Sequence, residues 1–261
     1  MVLIEPTPRL PCSGTEPGAE PACKINAALL ALDQEALALP CGLLDDATIA
    51  AQGLDPGRNP LQMWYAHWVV VTHQGASFYS LTLHADAFCP GGAHGWTEQS
   101  AVLFDLTTGA KVDPFTLLPV ALRPDTPFPP APLDPVPLDP VPLDPVPLDP
   151  APLAPDGQTP PPLTAPPHTL PPLTALYLEV LAKTDPTGAA DCAGTITQQQ
   201  ALTPDQTMDF LLYPEAATRS LILTPQGLAH AARPCEIGVP LDLPLLESLG
   251  ADPRLIVDLQ P

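Results

Sequence analysis

Basic side chains are scarce in this sequence. Nine Lys and Arg residues stand against 29 Asp and Glu residues in a chain of 261, which gives a formal net charge of −20. Phosphate backbones and anionic membrane surfaces repel such a chain, so we predict no nucleic-acid partner. A basic protein, a cation or a neutral glycan remains open as a partner, and the same acidity also serves many proteins simply as a means of solubility.

Several recognisable motifs are also missing. The sequence contains no C-x-x-C, G-x-S-x-G, H-E-x-x-H or phosphate-loop pattern. Zinc ribbons, thioredoxin-type redox sites and nucleotide sites are therefore unsupported, and we predict no cofactor and no metal. No window approaches the ~20 apolar residues that a membrane helix needs. The opening Met1–Pro6 is too short for a signal peptide, so any export signal is expected to precede this numbering.

Cysteine, in contrast, is present in an even number. An even count outside the proline-rich part of the chain favours disulfides and an oxidising compartment, periplasmic or extracellular, whereas free buried thiols are the alternative. We predict the pair Cys192–Cys235, because both residues flank strands of one C-terminal unit, and the pair Cys12–Cys23. Six cysteines allow fifteen connectivities, and the remaining pair would join Cys41 to Cys89.

Proline is abundant but concentrated. Of 41 prolines, 23 lie between Pro114 and Pro172. Residues 131–155 are five consecutive pentads, APLDP, three copies of VPLDP, and APLAP. Proline at this density removes backbone donors and excludes both helix and central strand, so the segment is expected to form polyproline II. A semi-rigid spacer is the main interpretation, and a P-x-x-P ligand for a proline-recognition domain is the alternative.

The N-terminal half shows clear periodicities. Apolar residues at helical spacing predict a helix from Cys23 to Leu39. Two strands are predicted over 64–73 and 78–87, and in the second the even-numbered residues are polar and the odd-numbered ones apolar, so that one face of the hairpin points inward. A glycine-rich loop over 90–95 leads into further predicted elements. These are a strand over 99–106, a Thr107-Thr108-Gly109 turn into Lys111-Val112, and a short helical turn through Leu118 capped by Asp113.

The C-terminal half alternates helical and strand-like patterns. The predicted elements are a helix over 175–183 capped by Thr174, strands over 208–213, 219–223, 227–232 and 235–240, a helix over 242–249 closed by Gly250, and a last short strand over 255–259. We therefore predict an α+β fold, with antiparallel sheet packed against a few helices and interrupted by the proline-rich insertion. The predicted organisation is an extended lead-in (1–22), an N-terminal α+β unit (23–118), the insertion (119–172) and a C-terminal α+β unit (173–261).

Three polar residues form the best candidate site. His84 and Asp86 project from the same strand face, and His94 lies in the glycine-rich loop that follows. Such a set is able to bind zinc or supply a general base, although solvated surface residues are the ordinary alternative. Trp64, Trp68 and Trp96 suggest a glycan-stacking platform, with core packing as the alternative. The candidate binding residues are His84, Asp86, His94 and Trp96.

The order of several short segments resembles a known bacterial family. The segments are Cys23-Lys24-Ile25-Asn26, Gly91-Gly92-Ala93-His94, Phe104–Lys111, Phe115–Leu118, Asp209-Phe210, Gly227-Leu228 and Cys235–Pro240. Together they resemble the extracytoplasmic domain of unknown function in RsiV-type anti-sigma factors and PdaC-type peptidoglycan deacetylases. The resemblance covers residues 23–118 and 173–258.

The resemblance implies an α+β fold with helices on antiparallel sheet. In the anti-sigma factors the domain binds lysozyme, and in the deacetylases it accompanies a separate catalytic domain. We therefore expect a non-enzymatic binding module of the bacterial envelope, for a basic protein such as lysozyme or for cell-wall glycan. The alternative is a metal-assisted hydrolase that acts on cell-wall glycan through His84, Asp86 and His94.

Overall fold

The computed structural model describes residues 2–13, 20–37, 64–88, 95–124, 170–202 and 208–261, apart from the side chains of Val2, Leu37, Trp64, Leu202 and His230. The proline pentads, Cys41, Cys89 and residues 90–94 of the glycine-rich loop, including His94, lie outside these residues. Within them, two β-sheets and five α-helices form an α+β fold, which confirms the predicted class.

The first sheet has five strands in the order in which they occur in the chain. They are β1 (Val2–Ile4), β2 (Trp64–Gln74), β3 (Phe78–Phe88), β4 (Trp96–Asp105) and β5 (Lys111–Val112). β1 runs parallel to β2 and the other neighbours are antiparallel. The two hairpins were predicted from alternation and turn residues, and both are confirmed, although β4 begins three residues before the predicted start.

One face of this sheet is covered by α1 (Pro21–Leu37). Ile25 and Leu29 are fully buried there and pack on the apolar face of β3, including Tyr79 and Leu81. The extended lead-in is held beside α1, because the Asn26 side chain accepts from the Leu10 N–H and donates to the Leu10 carbonyl, both at 2.8 Å. The predicted helix is thus confirmed, and it begins two residues earlier than expected.

The opposite face packs against the second sheet and the remaining helices. The sheet comprises β6 (Phe210–Glu215), β7 (Ser220–Pro225) and β8 (Val239–Leu241), and the helices are α2 (Pro172–Thr184), α3 (Pro186–Leu202), α4 (Leu243–Leu249) and α5 (Pro253–Leu259). Phe78 and Leu103 of the first sheet share one core with Tyr177 and Leu212. The expectation of a single inward face is therefore wrong, since Ser80 and Thr82 on the polar face of β3 are also buried.

Polar groups on that face form hydrogen bonds where β2 becomes irregular. β2 contains a bulge between Val71 and His73, and the Thr72 hydroxyl donates to the Ser80 hydroxyl at 2.9 Å. At the same place the Ala216 N–H, just after β6, donates to the Thr72 carbonyl at 2.8 Å. The bulge therefore joins the two sheets, as bulges at sheet corners commonly do.

The C-terminal half differs from the prediction in four ways. α3 was not predicted, because its buried positions are a cystine, one isoleucine and the polar Gln200 rather than an apolar stripe. Residues 255–259 belong to α5 and not to a strand, with Asp252 as N-cap and Pro253 at the first helical position. The predicted strands over 227–232 and 235–240 are wrong in whole or in large part, since a 3₁₀ helix spans His230–Cys235 and β8 begins only at Val239. Thr174 is not a cap but a buried residue inside α2, which starts at Pro172.

Three residues that the sequence predicts at helix ends or turns are confirmed in those roles. Asp113 caps the 3₁₀ helix Pro114–Leu117 through its carboxylate, which accepts from the Phe115 N–H at 2.9 Å. Gly250 ends α4 at φ 79°. Gly109 has φ 72°, and a Cβ there would lie 2.6 Å from the Pro21 carbonyl oxygen, so the β4–β5 turn admits no side chain at this position.

Two of the predicted disulfides are present. Cys12 and Cys23 join the lead-in to α1 with a Cα–Cα distance of 5.4 Å, and Cys192 and Cys235 join α3 to the 3₁₀ helix at 5.3 Å. Within the described ranges no cysteine is free. Among those residues, no helix has the length and apolar character required to cross a membrane.

Candidate functional site

A cavity of about 570 Å³ lies where the first sheet meets the C-terminal half of the chain. Its walls come from β2, β3 and β4 on one side and from the segments around β7 and the 3₁₀ helix on the other. The lining residues are mostly polar, namely Trp68, His84, Asp86, Thr97, Glu98, Gln99, Gln226, Gly227, Arg233 and Glu236.

The strand register places three of these residues side by side. Trp68 pairs with His84, and His84 pairs with Gln99, so a row crosses β2, β3 and β4 on one face. Asp86 and Thr97 form the next pair on that face. Side chains two residues apart share a face of a strand, and this periodicity brings Asp86 beside His84 as predicted.

The row is built around an aromatic stack. The rings of Trp68 and His84 are nearly parallel at 7°, with centroids 5.1 Å apart. His84 Nε2 lies 3.0 Å from the Thr82 hydroxyl oxygen, which fixes the plane of the imidazole. Burial lowers the pKa of His84 below its usual value and outweighs the opposing effect of Asp86. The imidazole is therefore neutral at neutral pH and presents a flat aromatic surface together with Trp68.

The facing wall is supplied by Arg233. Its Nη1 donates to the Thr97 carbonyl at 3.1 Å and also to the Thr97 hydroxyl. Thr97 lies in β4, so this contact links the 3₁₀ helix to the first sheet. The Cys192–Cys235 disulfide holds the same helix to α3 two residues later. The hydrogen bonds to Thr97 and the neighbouring disulfide together fix the position of Arg233.

Glu236 is held in the same wall. Its Oε1 accepts from the Leu228 N–H at 3.1 Å, which ties the end of the 3₁₀ helix to the loop after β7. The next residue is anchored as well, because the Tyr177 hydroxyl donates to the Ile237 carbonyl at 3.0 Å. Burial and the nearby Asp185 charge raise the pKa of Tyr177, so the hydroxyl stays protonated and keeps donating.

The predicted site residues separate into three groups. His84 and Asp86 line the cavity. Trp96 pairs with Ala87 and lies on the opposite face of the sheet, where it lines a second groove of about 410 Å³ beside α1. His94 lies outside the described residues, so the proposed convergence of His84, Asp86 and His94 stays a prediction.

Metal-ligating side chains converge at one point in the described ranges. Cys12, Glu20 and Cys23 place their ligand atoms within 4.8 Å of one another. Both cysteines form a disulfide with each other, so neither offers a thiolate to a metal ion.

Sequence reasoning missed the second wall of the cavity. Arg233 lies in a short 3₁₀ helix, and Gln226 and Glu236 lie outside regular elements, so no periodic pattern marks these residues. Only the run Cys235–Pro240, quoted above for the family resemblance, pointed to this part of the chain. Trp68 was considered as part of a tryptophan platform, but Trp68 and Trp96 lie on opposite faces.

The chain shows little similarity to known proteins. No known protein-family model matches the sequence, and no curated protein matches it either. Among solved structures, a crystal structure of a DUF3298 family protein from Pseudomonas aeruginosa PAO1 is similar at 12% sequence identity and a TM-score of 0.40, with 89% of this chain and 80% of that chain covered. That protein is described as a member of a family with a domain of unknown function. The more specific resemblance of this chain to RsiV-type and PdaC-type proteins stays a prediction.

Proposed function

We propose that this protein is a non-enzymatic, extracytoplasmic binding module that holds a glycan in the cavity between the first sheet and the 3₁₀ helix. The observation that carries the proposal is the Trp68–His84 stack on the wall of a cavity lined mainly by polar side chains. Aromatic rings offer the flat apolar surface on which a sugar ring packs, and planar polar groups beside them bind its hydroxyls.

The size and lining of the cavity support a small polar ligand. A volume of about 570 Å³ falls within the roughly 300–1,000 Å³ typical of small-molecule sites. Such sites are usually lined by apolar side chains, whereas here Gln99, Gln226 and Thr97 offer hydrogen bonds of the kind that hydroxyl-rich ligands require.

The disulfides support an extracytoplasmic location. Cys12–Cys23 and Cys192–Cys235 are both structural, since one ties the lead-in to α1 and the other ties the 3₁₀ helix to α3. Disulfides of this kind form and persist in oxidising compartments. A location in the bacterial envelope is part of the proposal and agrees with the resemblance to envelope proteins described above.

Binding explains the cavity better than catalysis does. His84 is stacked on one ring face and engaged through Nε2 with Thr82, so its role is to present a surface. A metal-assisted hydrolase needs a third ligand beside His84 and Asp86, and it stays a prediction that depends on His94.

A basic protein partner, such as a lysozyme, is a second candidate because of the net charge of −20. Acidic surfaces accelerate encounter with basic partners, and this effect falls steeply with ionic strength. Titration with a c-type lysozyme at low and at physiological salt tests it. Saturable binding at physiological salt would support this candidate, and heat that vanishes with salt would refute it.

The glycan proposal is tested by calorimetric titration with a soluble oligomer of β-1,4-linked N-acetylglucosamine. We expect Trp68→Ala to weaken binding by about two- to tenfold, since a stacked aromatic contributes roughly 0.5–1.5 kcal/mol. Trp96→Ala is the matched control, because it removes a tryptophan from the opposite face of the same sheet. Equal effects of the two substitutions, or no binding by the unmodified protein, would refute the proposal.

A further inference from the structure

We propose that the cavity selects ligands that carry both an ammonium group and a carboxylate, and that Asp86 and Arg233 are the residues that recognise them. This inference rests on the proposed function and narrows it from glycans in general to sugars that are zwitterionic. It derives from the way charged side chains are arranged around the Trp68–His84 stack.

The cavity contains opposite charges that do not neutralise each other. Asp86, Glu236 and Arg233 line it, and Glu98 borders both this cavity and the groove on the opposite face. Within the ranges described above, Arg254 pairs with Asp105 and Asp252, and Lys183 pairs with Glu179, but no carboxylate lies within 4.0 Å of Arg233. Opposite charges that share a half-enclosed space without pairing are left available to a ligand.

Arg233 lines that space and keeps donors that no described residue uses. Both of its hydrogen bonds use Nη1 and go to Thr97. A guanidinium has five N–H donors, and its Nε and Nη2 atoms together form the edge that binds a carboxylate with two parallel hydrogen bonds. That edge has no partner among the described residues. The clamp on Thr97 therefore orients Arg233 without using the donors that suit a carboxylate.

Asp86 is the cross-strand neighbour of Thr97. The two residues are directly paired across β3 and β4, so the residue that anchors Arg233 is also the neighbour of Asp86. No hydrogen bond from another described residue reaches the Asp86 carboxylate. A ligand that packs on the Trp68–His84 stack would thus meet a carboxylate acceptor and a guanidinium donor within one residue pair of each other.

A sugar with a free amine and a carboxylate on one pyranose ring matches this arrangement. Its ring packs on the stack, its ammonium approaches Asp86, and its carboxylate approaches the Nε–Nη2 edge of Arg233. Each charge is recognised in a partly enclosed site, where charge-assisted hydrogen bonds are stronger than in water. A sugar with one charge or none leaves at least one of the two side chains unpaired.

The test compares four sugars with the same ring, titrated into the full-length protein. They are muramic acid, with both charges, glucosamine, with the ammonium only, glucuronic acid, with the carboxylate only, and glucose. We expect muramic acid to bind at least about tenfold more tightly than glucose, with the two singly charged sugars between them. Arg233→Gln should remove the preference for a carboxylate, and Asp86→Asn the preference for an ammonium.

Matched controls come from α2, where Lys183 and Glu179 form an exposed pair far from the cavity lining. Lys183→Gln changes the net charge by the same amount as Arg233→Gln, and Glu179→Gln by the same amount as Asp86→Asn. Both control variants should leave all four affinities unchanged. If muramic acid and glucose bind equally well, the charge inference is refuted while glycan binding stands. If free alanine, a zwitterion without a ring, binds as tightly as muramic acid, the glycan proposal is refuted and the charge recognition stands.

Discussion

The carboxylate of Asp258, near the end of α5, lies 3.6 Å from the Nε2 atom of His73 in β2, and both side chains are almost completely excluded from solvent. Burial lowers the pKa of His73, although the charge of Asp258 opposes this effect. The contact joins the last helix of the chain to the first hairpin. It therefore connects two elements that lie far apart in the sequence.

The same carboxylate organises the β2–β3 turn. It accepts hydrogen bonds from the backbone N–H groups of Ala76, Ser77 and Phe78, at distances between 2.9 and 3.2 Å. These donors lie at the tip of the hairpin, where no strand partner is available for them. A single side chain thus supplies acceptors for three backbone donors.

Loss of this carboxylate should be costly. We expect Asp258→Ala to lower the free energy of unfolding by about 2–4 kcal/mol, because three backbone donors, two of them partly buried, lose a charged acceptor. Urea unfolding monitored by circular dichroism measures the change. Glu247→Gln on the exposed side of α4 is the control and should change stability by less than about 0.5 kcal/mol. An equally small effect of Asp258→Ala would show that water replaces the carboxylate.

Gly75 makes room for the Asp258 carboxylate. A Cβ at this position would lie 2.6 Å from Nε2 of His73 and closer still to Oδ2 of Asp258. We expect Gly75→Ala to destabilise the protein by about 1–3 kcal/mol through overpacking. Gly194→Ala is the contrasting variant, since its Cβ meets nothing within 4 Å on α3, and it should stabilise the protein by roughly 0.5–1 kcal/mol. Thermal unfolding measures whether each substitution lowers or raises the stability. Stabilisation by both substitutions would contradict the close packing around Gly75.

A second long-range contact predicts the acid sensitivity of the fold. Asp105, at the end of β4, accepts from Arg254 of α5 at 2.7 Å and from the N–H groups of Thr107 and Thr108. Burial raises the pKa of Asp105, but hydrogen bonds from Thr107, Arg254 and Thr108 outweigh it and lower the pKa from 3.8 to about 2. Because the folded pKa lies below the unfolded one, the stabilisation is complete above about pH 4 and is lost as the pH falls toward 2.

Asp105→Asn should therefore cost about 2 kcal/mol at pH 7 and much less at pH 2. Urea unfolding at several pH values provides the measurement. Asp191→Asn, an exposed position on α3, is the control and should reduce stability at neither pH. A cost of Asp105→Asn that is the same at pH 7 and pH 2 would mean that the carboxylate charge does not contribute.

The Cys192–Cys235 disulfide should matter for binding as well as for stability. It closes a loop with a sequence separation of 43 residues and lies two residues from Arg233. Replacing both cysteines by alanine should lower stability by about 2–4 kcal/mol and weaken ligand binding in the cavity. The matched variant replaces Cys12 and Cys23, whose separation is 11 residues and which lie beside α1. It should lower stability less and leave binding unchanged, and a similar loss of binding in both variants would contradict a local role for the disulfide.

Several parts of the fold follow from short-range patterns. The alternation along 78–88 predicts which residues share a face, since the period of a strand is two. Thr107-Thr108-Gly109 predicts the β4–β5 turn, because glycine alone accepts φ 72° without cost. The apolar spacing of Ile25 and Leu29 predicts α1. Each of these signals depends on a residue and its neighbours within one or two turns of chain.

The tertiary structure decided the features that depend on distant partners. No local pattern shows that a second sheet buries Ser80 and Thr82, because polar side chains on one face of a strand are equally consistent with solvent. Likewise, α3 has no apolar stripe, since a disulfide and Gln200 replace one. One wall of the cavity is formed by regular strands, and the other includes the short 3₁₀ helix that carries Arg233. Sequence periodicity places His84 and Asp86 on one face, but only long-range packing determines which residues face them across the cavity.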